Sequence, residues 1–186
     1  MKVDTQQYLD LVETHPYGIV FWDLEANGLK GDYNSVLCGS LKPFGKKPYT
    51  FSIKQVGNDQ RVVRELGHEL EKYFVWCTYY GKGFDVPMLN TRRLKWGLTP
   101  VAKRFHIDMY YSLKSKTLMA RRSMAAVAGF LGTPEQKMSV SQNVWSEIAF
   151  KTDEHMPTMI ERCESDCSVL EDVYRKTRHL LGEITL

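Results

Sequence analysis

The residues best placed to do chemistry are Asp23 and Glu25, which follow directly on the apolar run Ile19-Val20-Phe21-Trp22. Residues two apart in a strand point to the same face, so a strand ending in Asp23-Leu24-Glu25 presents two carboxylates side by side. Adjacent anions at a buried strand end repel one another and lose hydration, and a divalent cation relieves both costs. Oxygen-only donors suit the hard ions magnesium and manganese. A solvated pair of strand-end acids is the plainer alternative.

Two further acids stand at junctions of the same kind. Asp85 lies in Gly81-Lys82-Gly83-Phe84-Asp85-Val86-Pro87, where one apolar segment ends and a helical pattern begins. Asp is a favoured N-cap residue, so capping is its simplest role. Asp166 falls inside the helical stretch Glu161-Arg162-Cys163-Glu164-Ser165-Asp166-Cys167, where local propensity does not favour Asp and a solvated helix face is the plainer reading.

Positioning these acids requires a sheet. Gly18–Leu24 reads as a central strand running into the turn signal Asn27-Gly28. Tyr33–Leu41 and Tyr49–Ile53 read as two more strands across a Lys42-Pro43-Phe44-Gly45 hairpin, which completes a three-strand meander. Helical spacing over Gln60–Glu71 precedes another buried strand, Tyr73–Tyr80, and a second helix covers Val86–Trp96 with Gly97 at its C-cap. Lys103–Ile107 reads as extended, Asp108 as the cap of a helix over Met109–Leu113, and Ser123–Leu131 as a helix closed by Gly132. A last helix is predicted from near Pro157 to about Leu181, with Ile160, Cys163, Cys167, Leu170 and Tyr174 as its inner stripe. Strands first and then alternating helices and strands predict an α/β fold, a mixed β-sheet flanked by α-helices, with residues 1–186 forming one domain.

Composition excludes more than it assigns. With 186 residues, 43% hydrophobic and 25% charged, the chain can bury a core and is neither disordered nor of low complexity. The formal charge of +3 is too small to advertise a nucleic-acid partner. No apolar run approaches the roughly 20 residues that cross a bilayer, and the first residues lack a secretory apolar core, which predicts a cytoplasmic protein with no membrane partner. Cys38, Cys77, Cys163 and Cys167 form no CxxC pair and are expected to be reduced thiols.

Taken in order, strand-Asp-x-Glu, turn-Phe-Asp-helix and helix-Asp form a pattern that resembles the DEDD-type 3′–5′ exonucleases of the ribonuclease H-like superfamily. Within that group it looks most like the small predicted exonucleases of phages and prokaryotes. The likeness spans about Gly18 to Leu181. It includes Phe84-Asp85 followed by Leu89-Asn90-Thr91-Arg92, then Ile107-Asp108, Ala126–Gly132, and Asp166 followed by Leu170-Glu171-Asp172-Val173-Tyr174. The resemblance implies a ribonuclease H-like sheet and a quartet of Asp23, Glu25, Asp85 and Asp166 holding two divalent cations, Mg2+ or Mn2+. Asp23 would bridge the pair, Glu25 and Asp166 would complete the first ion's ligands, and Asp85 would help hold the second. The implied activity is metal-dependent hydrolysis of phosphodiesters from the 3′ end of nucleic acid, single-stranded DNA being favoured over RNA.

The sequence departs from that family where the general base belongs. Relatives place Tyr four residues, or His five, before the last Asp; here those positions hold Arg162 and Glu161. Glu161, or a hydroxide held on the metal, is the expected base, and Arg162 is expected on a phosphate or an acid. Tyr79-Tyr80 stand where relatives carry a His-Asn type pair, and Tyr80 is expected to stack on a terminal base. Lys82 and Arg92 join Tyr80 and Arg162 as expected nucleic-acid contacts, with Arg93, Lys95 and Arg121-Arg122 as further basic residues nearby. Two readings compete with the enzyme: a nucleic-acid-binding module that has lost turnover, and a nuclease of short oligonucleotides or RNA.

Overall fold

The computed structural model describes residues 2–134, 138–182 and 184–185. Chain order begins with β1 (Lys2–Val3), α1 (Thr5–Thr14), β2 (Ile19–Ala26), β3 (Val36–Pro43) and β4 (Tyr49–Ser52). It continues through α2 (Gln60–Leu70), β5 (Val75–Thr78), α3 (Asp85–Lys95), β6 (Phe105–Asp108) and α4 (Met109–Lys116). It ends with α5 (Met124–Leu131), α6 (Gln142–Glu147), α7 (Thr152–Thr177) and β7 (Ile184–Thr185), which pairs with β1.

Five strands form the central mixed sheet in the order β4-β3-β2-β5-β6. β3 runs antiparallel to β2 and β4, while β2, β5 and β6 are parallel. The strand that carries Asp23 and Glu25 therefore lies in the middle, buried on both faces. That burial explains why its first half is continuously apolar rather than alternating. Val20, Trp22 and Leu24 pack with Val63 and Leu66 of α2 and Leu89 of α3. Ile19 and Phe21 join Val127 of α5 with Leu170 and Tyr174 of α7. Strand alternation puts Asp23 and Glu25 on the Ile19 and Phe21 side, towards α7. Gly39, opposite Leu24 in the register, allows α2 to close on the sheet, since a Cβ there would stand 2.5 Å from Leu66 Cδ2.

Several boundaries differ from the sequence reading. β3 begins at Val36, and Tyr33 is exposed in the preceding turn. α1 is not anticipated by the pattern; Asp4 caps it by accepting from the Gln6 backbone at 2.8 Å, and Leu9 and Val12 anchor it in the core. α7 starts at Thr152, which leaves Pro157 in its second turn at the cost of one backbone hydrogen bond. Asp108 caps α4 as expected, accepting from Tyr110 N. Among the described residues no helix is long and apolar enough to cross a membrane. The four cysteines are buried and unpaired as disulfides.

Candidate active site at the ends of the parallel strands

The three parallel strands end together, and chemistry-bearing residues collect at their carboxyl ends, where open α/β sheets bind ligands. β2 contributes Asp23 and Glu25, β5 leads into Tyr79-Tyr80, and β6 finishes at Asp108. A bulge between Glu25 and Ala26 ends the regular pairing with β3 just beyond the acids, a feature that re-aims side chains. α7 crosses this face and brings Asp166 down onto it. One carboxylate oxygen each from Asp23, Glu25 and Asp166 lie within 4.8 Å of one another. Glu25 and Asp166 are buried, and Asp23 is partly so.

Asp85 does not cap α3. It is the helix's first residue, 3% exposed, and its carboxylate accepts a 3.1 Å hydrogen bond from the Leu24 backbone between the two β2 acids. Burial pushes its pKa up to about 7, opposed by the Leu24 and Asp85 backbone N–H groups and reinforced by the charges of Glu25 and Asp108. The converging oxygens of Asp23, Glu25 and Asp166, all hard donors, fit a divalent cation such as Mg2+ or Mn2+.

Arg162, one turn before Asp166, donates through Nε to Glu25 Oε1 at 2.5 Å and lies over the Trp145 ring, 5.4 Å from its centroid. Burial works against its charge, and Glu25, Asp166 and Asp23 outweigh that effect, raising its pKa. Glu161 points elsewhere. Five residues on an α-helix amount to about 140° of rotation, and Glu161 is exposed and does not line the cleft formed by the acids. His155 is held by Glu147 at 3.3 Å, near the start of α7.

A groove runs across the acids. Its central part, about 300 Å³, is lined by Asp23, Glu25, Asp85 and Asp166 together with Tyr80 and Arg162. On one side it shares Asp23, Tyr79 and Tyr80 with a cleft of about 470 Å³ that also exposes Tyr110, Arg122 and Ser123. On the other it shares Glu25 and Arg162 with a cleft of about 450 Å³ walled by Trp145 and Gln142. Tyr80 is 45% exposed and adopts φ +66°, an uncommon conformation for a residue with a side chain, which turns it out of the sheet. Its ring packs over Gly83, where a Cβ would lie 2.5 Å from the ring, and against Tyr110 at 5.1 Å between centroids.

Of the expected nucleic-acid contacts, Tyr80 and Arg162 therefore line the groove. Lys82 is exposed but borders a separate cavity of about 140 Å³ with His106 and Tyr111. Arg92 requires a correction. It is 1% exposed, donates to both oxygens of Asp59 at 2.8 and 2.9 Å and to the Gly31 carbonyl at 3.0 Å, and faces no solvent that could bring a phosphate. Arg93 is likewise turned inward, onto the Val63 and Thr99 carbonyls. Tyr110 and Trp145 are groove residues the sequence reading passed over. A Tyr110-Tyr111 doublet after the β6 strand end, matching Tyr79-Tyr80 after β5, was the available signal for the first.

Behind the tyrosines, His106 Nε2 lies 2.8 Å from the Thr78 hydroxyl. Burial, helped by the Lys82 charge, lowers its pKa to about 4. The folded state thus keeps this imidazole neutral while the unfolded chain protonates it below about 6.5, so its contribution to stability is complete above that pH and is lost as pH falls towards 4. Between pH 7 and 4.5, His106→Gln is expected to lose about 2 kcal/mol less stability than wild type, read from urea unfolding at both pH values.

Residues 20–178 match the family model of the RNase_H superfamily, and the chain belongs to that superfamily. No curated protein matches the sequence. Among solved structures, the fold is similar to a family B DNA polymerase from the hyperthermophilic archaeon Pyrobaculum calidifontis, with TM-score 0.67 and 17% identity over 86% of this chain. This chain covers only 24% of that polymerase. It is also similar to a structure described as the apo form of a nuclease, with TM-score 0.59 and 15% identity, covering 95% of this chain and 79% of the other.

Proposed function

We propose that the chain is a metal-dependent 3′–5′ exonuclease of the DEDD type that hydrolyses phosphodiester bonds at the 3′ end of single-stranded DNA. The observation that carries this reading is the convergence of Asp23, Glu25 and Asp166 within 4.8 Å on the floor of a groove walled by tyrosines. An RNase_H-superfamily fold shared with a DNA polymerase and a nuclease supports a nucleic-acid substrate. The 3′–5′ direction and the phage or prokaryotic grouping rest on the likeness of the four-acid pattern.

Asp23, Glu25 and Asp166 would hold the cations, with Asp85 as the fourth acid. Bound there, Mg2+ or Mn2+ supplies the charge that offsets the phosphodiester and lowers the pKa of an attacking water. The protein's own part is placement. Tyr80, propped by Gly83 and Tyr110, offers an aromatic face to an unpaired base, a contact worth roughly 1–3 kcal/mol in single-strand binders. Arg162 stands where it can meet a phosphate oxygen. No proton transfer is assigned to Glu161, because its exposed position lies outside the groove. Glu161→Gln is accordingly expected to keep kcat within about twofold of wild type from pH 6 to 9, whereas a general base typically contributes 100-fold or more.

The test is cleavage of 3′- and 5′-labelled oligonucleotides of graded length, as DNA and as RNA, with Mg2+ or Mn2+. Mononucleotide release from the 3′ end is expected, faster on single-stranded DNA. Binding without cleavage would instead identify a module that has lost turnover, and activity confined to the shortest substrates or to RNA would identify the third reading.

A further inference from the structure

We propose that Arg162 is a resident counter-cation of the acid cluster, which divalent metal displaces from Glu25 and which then receives a substrate phosphate from the face of Trp145. This rests on the reading of Asp23, Glu25 and Asp166 as metal ligands. Glu25 cannot give its single negative charge fully to both a guanidinium and a metal ion, and Arg162 Nε lies 2.5 Å from Oε1, within hydrogen-bonding distance. The protein thus places a monovalent cation of its own on a carboxylate that a divalent cation would share.

Comparison with Arg92 shows that Arg162 is not built as a permanent strut. Arg92 has Nε and both terminal nitrogens bonded, two of them to the fully buried Asp59 and one to the Gly31 carbonyl. Arg162 is bonded only through Nε, and among the described residues its two terminal nitrogens have no hydrogen-bond acceptor. Its side chain is 17% exposed and lines both the acid cleft and the Trp145 cleft. The indole, with a guanidinium 5.4 Å from its centroid, provides a second resting place that needs no carboxylate. The planar guanidinium fork suits two phosphate oxygens, and those terminal nitrogens are the ones left to take them.

Displacement has a direction that can be measured. Removing a positive charge from a carboxylate cluster makes the cluster a better host for another cation, while an arginine that merely orients Glu25 would have the opposite effect when removed. Mn2+ binding to the full chain without nucleic acid, followed by electron paramagnetic resonance of the free ion, separates these outcomes. Arg162→Gln is expected to bind Mn2+ about 10-fold tighter than wild type, Arg162→Lys to stay within about threefold, and the gap to narrow at high salt, which screens the competing charge. Equal or weaker binding by Arg162→Gln overturns the proposal while leaving the metal reading intact. Absence of Mn2+ binding by wild type overturns that metal reading itself, and this proposal with it.

Two further measurements probe the second half. At saturating Mn2+, Arg162→Gln is expected to bind a cleavage-resistant phosphorothioate oligonucleotide about 10-fold more weakly, and unchanged affinity removes the phosphate role. In wild type, Mg2+ is expected to change tryptophan emission in a way that Trp145→Phe abolishes. A signal insensitive to Trp145→Phe overturns the displacement without requiring any Arg162 variant to fold.

Discussion

Asp23→Asn is expected to lower metal-dependent phosphodiester cleavage by at least about 1,000-fold while leaving the protein folded. The Asp23 carboxylate supplies one of three oxygens that meet within 4.8 Å, and an amide in its place keeps the shape but gives up the charge that would hold a dication. Losing one preorganised electrostatic contact to a transition state costs on the order of 100- to 1,000-fold in other enzymes, and weakened metal loading multiplies that loss. Stability should move the other way. Asp23, Glu25, Asp85 and Asp166 crowd one strand end, and burial and neighbouring charge already push the Asp85 carboxyl up to about 7. Neutralising Asp23 removes one negative charge from the cluster it forms with Glu25 and Asp166, so the variant's thermal midpoint without metal should equal or exceed that of wild type.

The response to metal completes the prediction. A ligand that binds only the folded state stabilises it by about 2.7 kcal/mol at 100 times its dissociation constant, so Mn2+ should raise the wild-type midpoint by several degrees. Asp23→Asn should show little of that shift. Parallel thermal scans and cleavage assays check both halves, and a variant that retains full cleavage removes Asp23 from the active site.

Arg92→Ala is expected to destabilise the protein by about 3–5 kcal/mol, the loss seen when one partner of a buried ion pair is deleted. The site explains why the cost sits at that level. Asp59 is fully buried and accepts from Arg92 through both oxygens, from the Val36 backbone at 2.9 Å and from Trp96 Nε1 at 2.8 Å. Removing the guanidinium leaves a buried carboxylate with two neutral donors and no countercharge. The network ties the start of β3 to α3 and to Trp96 at the end of that helix. Urea unfolding measures the loss. Asp59→Asn/Arg92→Met should recover part of it, because a neutral, well-packed pair avoids the orphaned charge. A phosphate-binding surface arginine would give the contrary result, with stability within about 0.5 kcal/mol of wild type and weakened oligonucleotide binding.

These two residues mark the boundary of what sequence reasoning reaches. Asp23 and Glu25 were legible because a strand has a period of two and a buried strand end tolerates paired acids poorly. The mixed sheet was legible for a related reason: apolar runs bounded by Asn27-Gly28 and Pro43-Phe44-Gly45, followed by helical spacing, admit few arrangements. Arg92 was misread because its helix carries Arg92, Arg93 and Lys95 close together, and a basic run on a helix ordinarily faces solvent. Only Lys95 of the three does so, since Asp59, 33 residues earlier in the chain, draws Arg92 inside.

Local sequence by itself determined most elements of the central sheet and its covering helices, and the face on which the β2 acids lie, because periodicity and turn chemistry act over a few residues. Tertiary structure decided the rest. Packing of α7 across the sheet brings Asp166 to Asp23 and Glu25 and aims Arg162, not Glu161, at them. It also turns the Asp85 carboxylate from a helix cap into a partner of the Leu24 backbone, and builds an aromatic wall from the ends of two neighbouring strands. These are distances between residues 30 to 143 positions apart, set by burial and charge compensation in the folded core, and no local pattern encodes them.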